Sequence, residues 1–275
     1  MNAILDFFEQ MPVWMKAGWV IFCITLFWIL EGNYSLFTKP YRKWRHARTN
    51  LILLIFVLLI NTVFGLATAG IFSWLGDNNF GLLNLVDWPV AAELILAILV
   101  LDLIAQYGVH YLLHQVPWMW RLHLVHHSDK HVDATSGTRH HPFDFLIREI
   151  FALIAVVITG MPISFYFFYR ILTIFFTYWT HANLRLPLKL DKGLSWVFVT
   201  PNMHKFHHHY QLPWTDSNYG NMFAIWDRLF GTFVYGNPQE IQYGVDIADH
   251  RPDEDLAVQL KLPFDSGVKS KGSRS

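Results

Sequence analysis

Residues 51–75, from Leu51 to Leu75, contain no charged side chain. A span of the hydrocarbon core needs about 20 apolar residues, so this run is long enough to cross a bilayer. Inside lipid every backbone N–H and C=O must be bonded within the protein, which leaves helices and closed barrels. Only 15% of the 275 residues are charged and mean hydropathy is +0.27. Soluble chains carry about a quarter charged residues. We therefore expect an all-α integral membrane protein.

Four further apolar runs flank this one. Ala17 to Leu30 continues past Glu31 to Phe37, with Glu31 weakening its end. Val90 to Leu113 carries Glu93 and Asp102. Leu146 to Thr159 and Ile163 to Trp179 flank Gly160-Met161-Pro162 and are interrupted by Arg148 and Arg170. This last pair reads as a hairpin of two spans or one that crosses only in part, giving about four to five transmembrane helices. The stretch 185–264, rich in Pro, Trp and Asp, reads as a cytosolic helical cap. Residues 1–265 form a single domain and 266–275 a disordered tail. The first 16 residues lack the basic segment of a secretory signal.

Cytoplasmic loops are enriched in Lys and Arg. Residues 39–48 and 114–148 are basic and 76–89 acidic. The basic segments are assigned to the cytoplasm, with the N-terminus and the 160–162 turn outside and everything after His181 inside. This arrangement puts every histidine block on the cytoplasmic face.

Fifteen histidines are the compositional anomaly. His110 and His114 are four apart and share one helix face, which continues backwards through Gln106 and Asp102. A polar stripe in a lipid-embedded helix must face protein or water. His123, His126 and His127 have spacing i, i+3, i+4, and His204, His207 and His208 repeat it. Neutral imidazole ligates iron, zinc and copper. Eight imidazoles over-supply one metal and suit a histidine-rich dimetal site. Zinc peptidases would show His-Glu-x-x-His, and carboxylate-bridged di-iron bundles Glu-x-x-His; neither is present. Haem would leave most of these side chains unused, so an all-imidazole iron pair fits best. Equal numbers of acidic and basic residues, 21 each, offer nothing for nucleic acid, and the single cysteine, Cys23, excludes an intrachain disulfide and a cysteine-rich metal site.

The segments 110–114 (HYLLH), 123–127 (HLVHH) and 204–208 (HKFHH) resemble the three histidine boxes of the fatty acid hydroxylase/sterol desaturase superfamily. His140-His141-Pro142, Thr180-His181-Ala182-Asn183, Asn218-Tyr219-Gly220 and the stretch Trp226 to Thr232 add to the likeness, which covers about residues 102–236. It implies an integral membrane enzyme with two iron ions and O2 as co-substrate. Such enzymes hydroxylate or desaturate lipids, including sterols, fatty acyl chains and alkylglycerols. It implies metal ligands at His110, His114, His123, His126, His127, His204, His207 and His208, with His181 a ninth and His141 a tenth. Position 185, where some relatives carry a further histidine, is Arg185. The chain has no haem, flavin or iron–sulfur motif, so a separate electron donor of cytochrome, ferredoxin or reductase type is expected.

Metal-bound histidines usually donate their other N–H to a carboxylate or carbonyl. Asp102, Asp129, Asp144, Asp216, Asn218 and Asp227 are the candidates, Asp227 being equally suited to pair with Arg228 or to cap a helix. His131, His140 and His209 are expected beside the ligands or in solvent, and His46 and His250 on the surface. The rival readings are a membrane metal-binding or transport protein without redox catalysis, and a one-metal membrane hydrolase.

Overall fold

The computed structural model describes residues 2–248 and 251–268. Over these residues it is helical, with isolated bridges such as Ser35 to Leu184 in place of sheet. A short α1 (Asn2–Glu9) precedes α2 (Val13–Asn33) and α3 (Lys43–Asn78). Helix α4 (Val90–Asp102) runs through a π-helical turn (Leu103–Gly108) into α5 (Val109–Gln115). Three segments are long and apolar enough to cross a membrane: Val13–Asn33, Lys43–Asn84 and Val90–Gln115. The hairpin expected around Gly160 is formed by Pro142–Thr159 and Ile163–His181, which become α7 and α8 once the intervening α6 (Pro117–His127) is counted. Gly160 has φ +67 and its backbone lies against that of Gly81 (φ +113), where a side chain on either residue would clash. The 76–89 loop and the 160–162 turn therefore share one end of the bundle.

Ala97, Leu101, Ala105, Ala152, Ala155 and Val156 meet in the core between α4 with its π turn, α7 and α8. Small side chains let helix backbones approach closely where lipid supplies no hydrophobic drive. The π turn widens the helix and shifts the register of α5 against α4. Gly108 permits it, since a Cβ there would stand 3.0 Å from the Leu103 carbonyl. The polar stripe expected from Asp102 to His114 is consequently not continuous. Asp102 accepts from Tyr169 Oη (3.0 Å) and Trp226 Nε1 (2.9 Å), tying α4 to α8 and the cap.

At the other end, α6 and the 3-10 turn Ala134–Thr138 precede α7, and α9 (Leu188–Leu194), α10 (Pro201–His207), α11 (Ile225–Leu229) and α12 (Leu256–Lys261) build the cap. The Arg121 guanidinium donates to the carbonyls of Pro263, Asp265 and Val268. Val268 is buried against Leu53 and Trp120, so packing extends past the expected domain end. Residues 269–275 of the expected tail, and His250, lie outside the described residues.

Glu31 does not weaken the first span; it anchors it. It is buried, accepts from the backbone N–H groups of Ala134 (2.9 Å) and Asn183 (3.1 Å), and pairs with Lys43 at 3.2 Å. Removing one partner of a buried pair leaves the other groups without compensation. Glu31→Ala is expected to cost about 3 kcal/mol or more, read as a fall in thermal midpoint in detergent. Both N–H groups meet the same oxygen, Oε2. Glu31→Gln can therefore still accept from both through its amide oxygen and gives up only the charge that faces Lys43; it should lose less. Equal midpoints for wild type and both variants would remove the anchoring role.

Candidate metal centre

Each histidine box lands on a helix. His110 and His114 project from α5, His123, His126 and His127 from α6, and His204 and His207 from α10, with His208 just beyond it. His181 ends α8. These nine rings fall into two groups in which the offered nitrogens lie within 4.8 Å of one another. One holds His110, His114, His123, His127 and His207, the other His126, His181, His204 and His208; all are buried.

Hydrogen bonding decides which nitrogen carries the proton. His110 Nδ1 donates to Tyr219 O (2.8 Å), His126 Nδ1 to Arg139 O (3.2 Å), His181 Nδ1 to Thr177 O (2.7 Å) and His207 Nδ1 to Ser217 O (2.7 Å). His123 Nδ1 donates to Asp144 Oδ2 at 3.0 Å, and His114 Nδ1 faces Asp216 Oδ1 at 3.1 Å. A neutral imidazole with its hydrogen on Nδ1 has a bare lone pair on Nε2. Those lone pairs converge: Nε2 to Nε2 is 3.0 Å for His110 and His123, and 3.2 Å for His126 and His181. No hydrogen is available to bridge either pair, so the contacts are repulsive unless a cation sits between them. Ligands at right angles around a metal with bonds of ~2.1 Å would have their nitrogens ~3.0 Å apart. His207 Nε2 and both ring nitrogens of His208 have no hydrogen-bond partner. The donor set therefore fits two metal ions.

Burial keeps the rings neutral, as ligation requires. It is the first cause holding His126, His127, His204, His207 and His208 well below the ordinary histidine value, and neighbouring imidazoles add to it. Burial also lowers His123, to about 4, against the opposing pull of Asp144.

A family model described as fatty acid hydroxylase matches residues 94–232, half of the chain, and all nine clustered histidines fall within its bounds. The chain belongs to the fatty acid hydroxylase family. It is 31% identical over 181 residues to an ornithine lipid hydroxylase of Rhizobium tropici, covering 65% of this chain and 52% of that protein. An alkylglycerol monooxygenase of Xenopus tropicalis is 28% identical over 241 residues, 86% of this chain and 51% of its own length. A methylsterol monooxygenase of Arabidopsis thaliana is 25% identical over 204 residues, 73% of this chain and 74% of its own length. The chain spans about half the length of the first two relatives. No solved structure matches it.

Of the ten ligands expected in this fatty acid hydroxylase chain, the fold gathers nine and leaves out His141. That ring caps the start of α7, its Nδ1 accepting from Phe143 N (3.2 Å) while Nε2 faces Leu260 O (3.3 Å). Pro142 starts α7 and so commits His141 to the cap position. Its neighbour His140 stacks on His126 (4.6 Å between centroids, 14° between planes) and shares Asp144 with His123.

Among the expected carboxylate partners, Asp144 and Asp216 face clustered histidines. Asp227 accepts from Tyr219 N (2.7 Å), Gly220 N (2.9 Å) and Thr232 Oγ1 (2.7 Å) rather than pairing with Arg228. Asn218 bonds Met203 O and Val234 O. Asp129 bonds His46 (2.8 Å), which is fully buried and not on the surface; His131 stacks on Tyr41, and His209 Nδ1 accepts from Gln211 N. The backbone acceptors Tyr219, Ser217, Arg139 and Thr177 have no sequence signal, because any residue type carries a carbonyl.

His123, His126, His127, His204, His207 and His208 are held neutral by burial when folded and protonate near 6.5 once unfolded. Between those values the unfolded chain binds more protons, so acidification lowers stability. The metal-free protein should lose stability as pH falls below about 6.5, each depressed histidine contributing up to ~1.4 kcal/mol per pH unit; for His123 that window runs down to about 4. Thermal midpoints that stay level from pH 7 to 5 would contradict it. Separately, Asp144→Ala should weaken metal binding by about 10- to 100-fold, measured by competition with a chelator.

Proposed function

We propose that the chain is an O2-dependent di-iron membrane oxidoreductase that hydroxylates or desaturates an unactivated C–H bond of a lipid. The sterol, fatty acyl and alkylglycerol classes are the substrates in view. The observation that carries this reading is the convergence of bare Nε2 lone pairs in two buried groups, five and four histidines strong. Its relatives are named hydroxylases and monooxygenases, of ornithine lipid, alkylglycerol and methylsterol.

The bound irons would supply the O2 activation that an unactivated C–H bond demands. The chain's own residues do the rest. Tyr219, Ser217, Arg139 and Thr177 carbonyls, with the Asp144 carboxylate, hold the rings in one tautomer and one orientation. Burial excludes water from the centre. The Arg139 guanidinium stiffens the connection between α6 and α7, donating to Val125 O (2.9 Å), Asn50 Oδ1 (3.0 Å) and Asp253 O (2.6 Å).

In this reading four to five helices span the membrane, the cap is cytosolic, and the metal centre lies at the cytoplasmic face. All ten expected ligands except His141 serve: His110, His114, His123, His127 and His207 at one iron, His126, His181, His204 and His208 at the other. Electrons come from a separate donor. A transport function would call for histidines along a path through the bilayer, whereas these gather at one end.

Purified protein should contain about two irons per chain and oxidise a lipid only with O2 and a reductant. His126→Ala should cut that activity at least ~100-fold. One zinc and no iron, or activity untouched in the variant, would overturn the assignment.

A further inference from the structure

A cavity of about 160 Å³ lies among α2, α3, α4, α7 and α8 and ends at the 3-10 turn before α7. Leu58, half-exposed on α3, stands at its edge, and most of its wall is apolar. Its inner end is formed by Gly137, Thr138, His140 and Thr177. This end adjoins the metal centre: Thr177 O accepts from His181 Nδ1, and the His140 ring lies flat against His126.

The wall also carries charge, which is costly away from water unless it is paired. Arg148 and Arg170 both line the cavity, together with Glu149. Each guanidinium has one carboxylate: Arg148 Nε bonds Asp144 Oδ1 (3.1 Å), and Arg170 Nη1 bonds Glu149 Oε1 (2.7 Å). These bonds use one nitrogen of each fork, leaving donors on both arginines. Arg170, Thr173 and Thr177 succeed each other at three- and four-residue spacing, so one polar line on α8 leads to His181. From Arg170 to His181 is eleven residues, ~16 Å of helix.

We propose that this cavity seats the hydrocarbon chain of the lipid substrate, and that Arg148 and Arg170 select chains bearing an ester or amide carbonyl. The inference rests on the lipid-oxidation reading for the word substrate, but the binding site stands apart from turnover. The charge balance favours a neutral group. Both guanidiniums are already matched by carboxylates, so an anion would add an uncompensated charge away from water. A carbonyl accepts from the remaining N–H groups and adds none. A bare hydrocarbon would leave those donors without a partner.

The test uses photoactivatable hexadecyl-chain probes on the full chain in nanodiscs: a methyl ester, an N-methyl amide, the free carboxylate and a plain hydrocarbon. Ester and amide should label peptides within 145–152 and 166–178, and should bind about tenfold more tightly than hydrocarbon or carboxylate. Arg170→Gln should shrink that preference without moving the labelled peptides. Should that variant fail to fold because Glu149 loses its partner, the neutral pair Glu149→Gln with Arg170→Met replaces it. Leu58→Trp should reduce labelling by every probe alike. Equal labelling by hydrocarbon and ester, a preference for the carboxylate, or label confined to other helices would overturn the proposal. Labelling requires neither iron nor turnover. Correct labelling without lipid oxidation would remove the proposed activity and leave the cavity assignment intact; oxidation with label elsewhere would do the reverse.

Discussion

Two imidazole lone pairs facing each other at 3.0 Å, inside a protein and without a proton between them, set the terms for the rest of this fold. The pair His110–His123 is in that condition, and His126–His181 nearly so at 3.2 Å. Nothing in the rings themselves favours the arrangement. It persists because each ring is held from behind: the Nδ1–H of each donates to a carbonyl or carboxylate that cannot move away. The fold is thus built to hold the donors in place before any metal arrives, a form of preorganisation that side chains on a flexible loop could not supply.

This requirement explains much of the irregular structure. The carbonyls of Ser217 and Tyr219 lie in a segment without regular helix, where backbone groups are not consumed by i to i−4 bonds. Asp227 fixes that segment through the N–H groups of Tyr219 and Gly220, and Asn218 (φ +53) clamps it to α10 and to Val234. A cap of short helices joined by bonded loops supplies acceptors at angles a continuous helix would not offer.

The helices and the histidine boxes are legible in the sequence because both rest on local periodicity. Residues 51–75 announce a span, and the i, i+3, i+4 spacing places three rings on one side of a helix whatever surrounds it. His181 is legible only through resemblance. His46 misleads as a surface residue: it stands alone in sequence, and only the fold brings Asp129 and Asp133 to it. His141 misleads in the opposite direction. It sits in a histidine-rich stretch, but its place before Pro142 makes it the cap of α7, and a ring that accepts from Phe143 N points away from the cluster. The π turn at 103–108 escapes detection for a related reason, since period counting assumes a constant 3.6 residues per turn.

Charged residues within the apolar runs weaken the spans when read as sequence, yet in the structure they fasten them. Glu31 joins α2 to the 3-10 turn and to Asn183, Asp102 joins α4 to Tyr169 and Trp226, and Glu149 joins α7 to Arg170 on α8. In water such bonds compete with solvent, but Glu31, Asp102 and Glu149 are buried, where the alternative partner is missing. Apolar packing alone would leave these helices free to slide, because hydrocarbon wets either surface equally well. Each carboxylate accepts from partners on another element and so fixes one register. Register matters here because α5, α6, α8 and α10 each bring only one to three rings, and a slip of one residue would turn those rings by about 100°. The charges that make the spans less apolar are therefore what allows separate helices to deliver their nitrogens to one point.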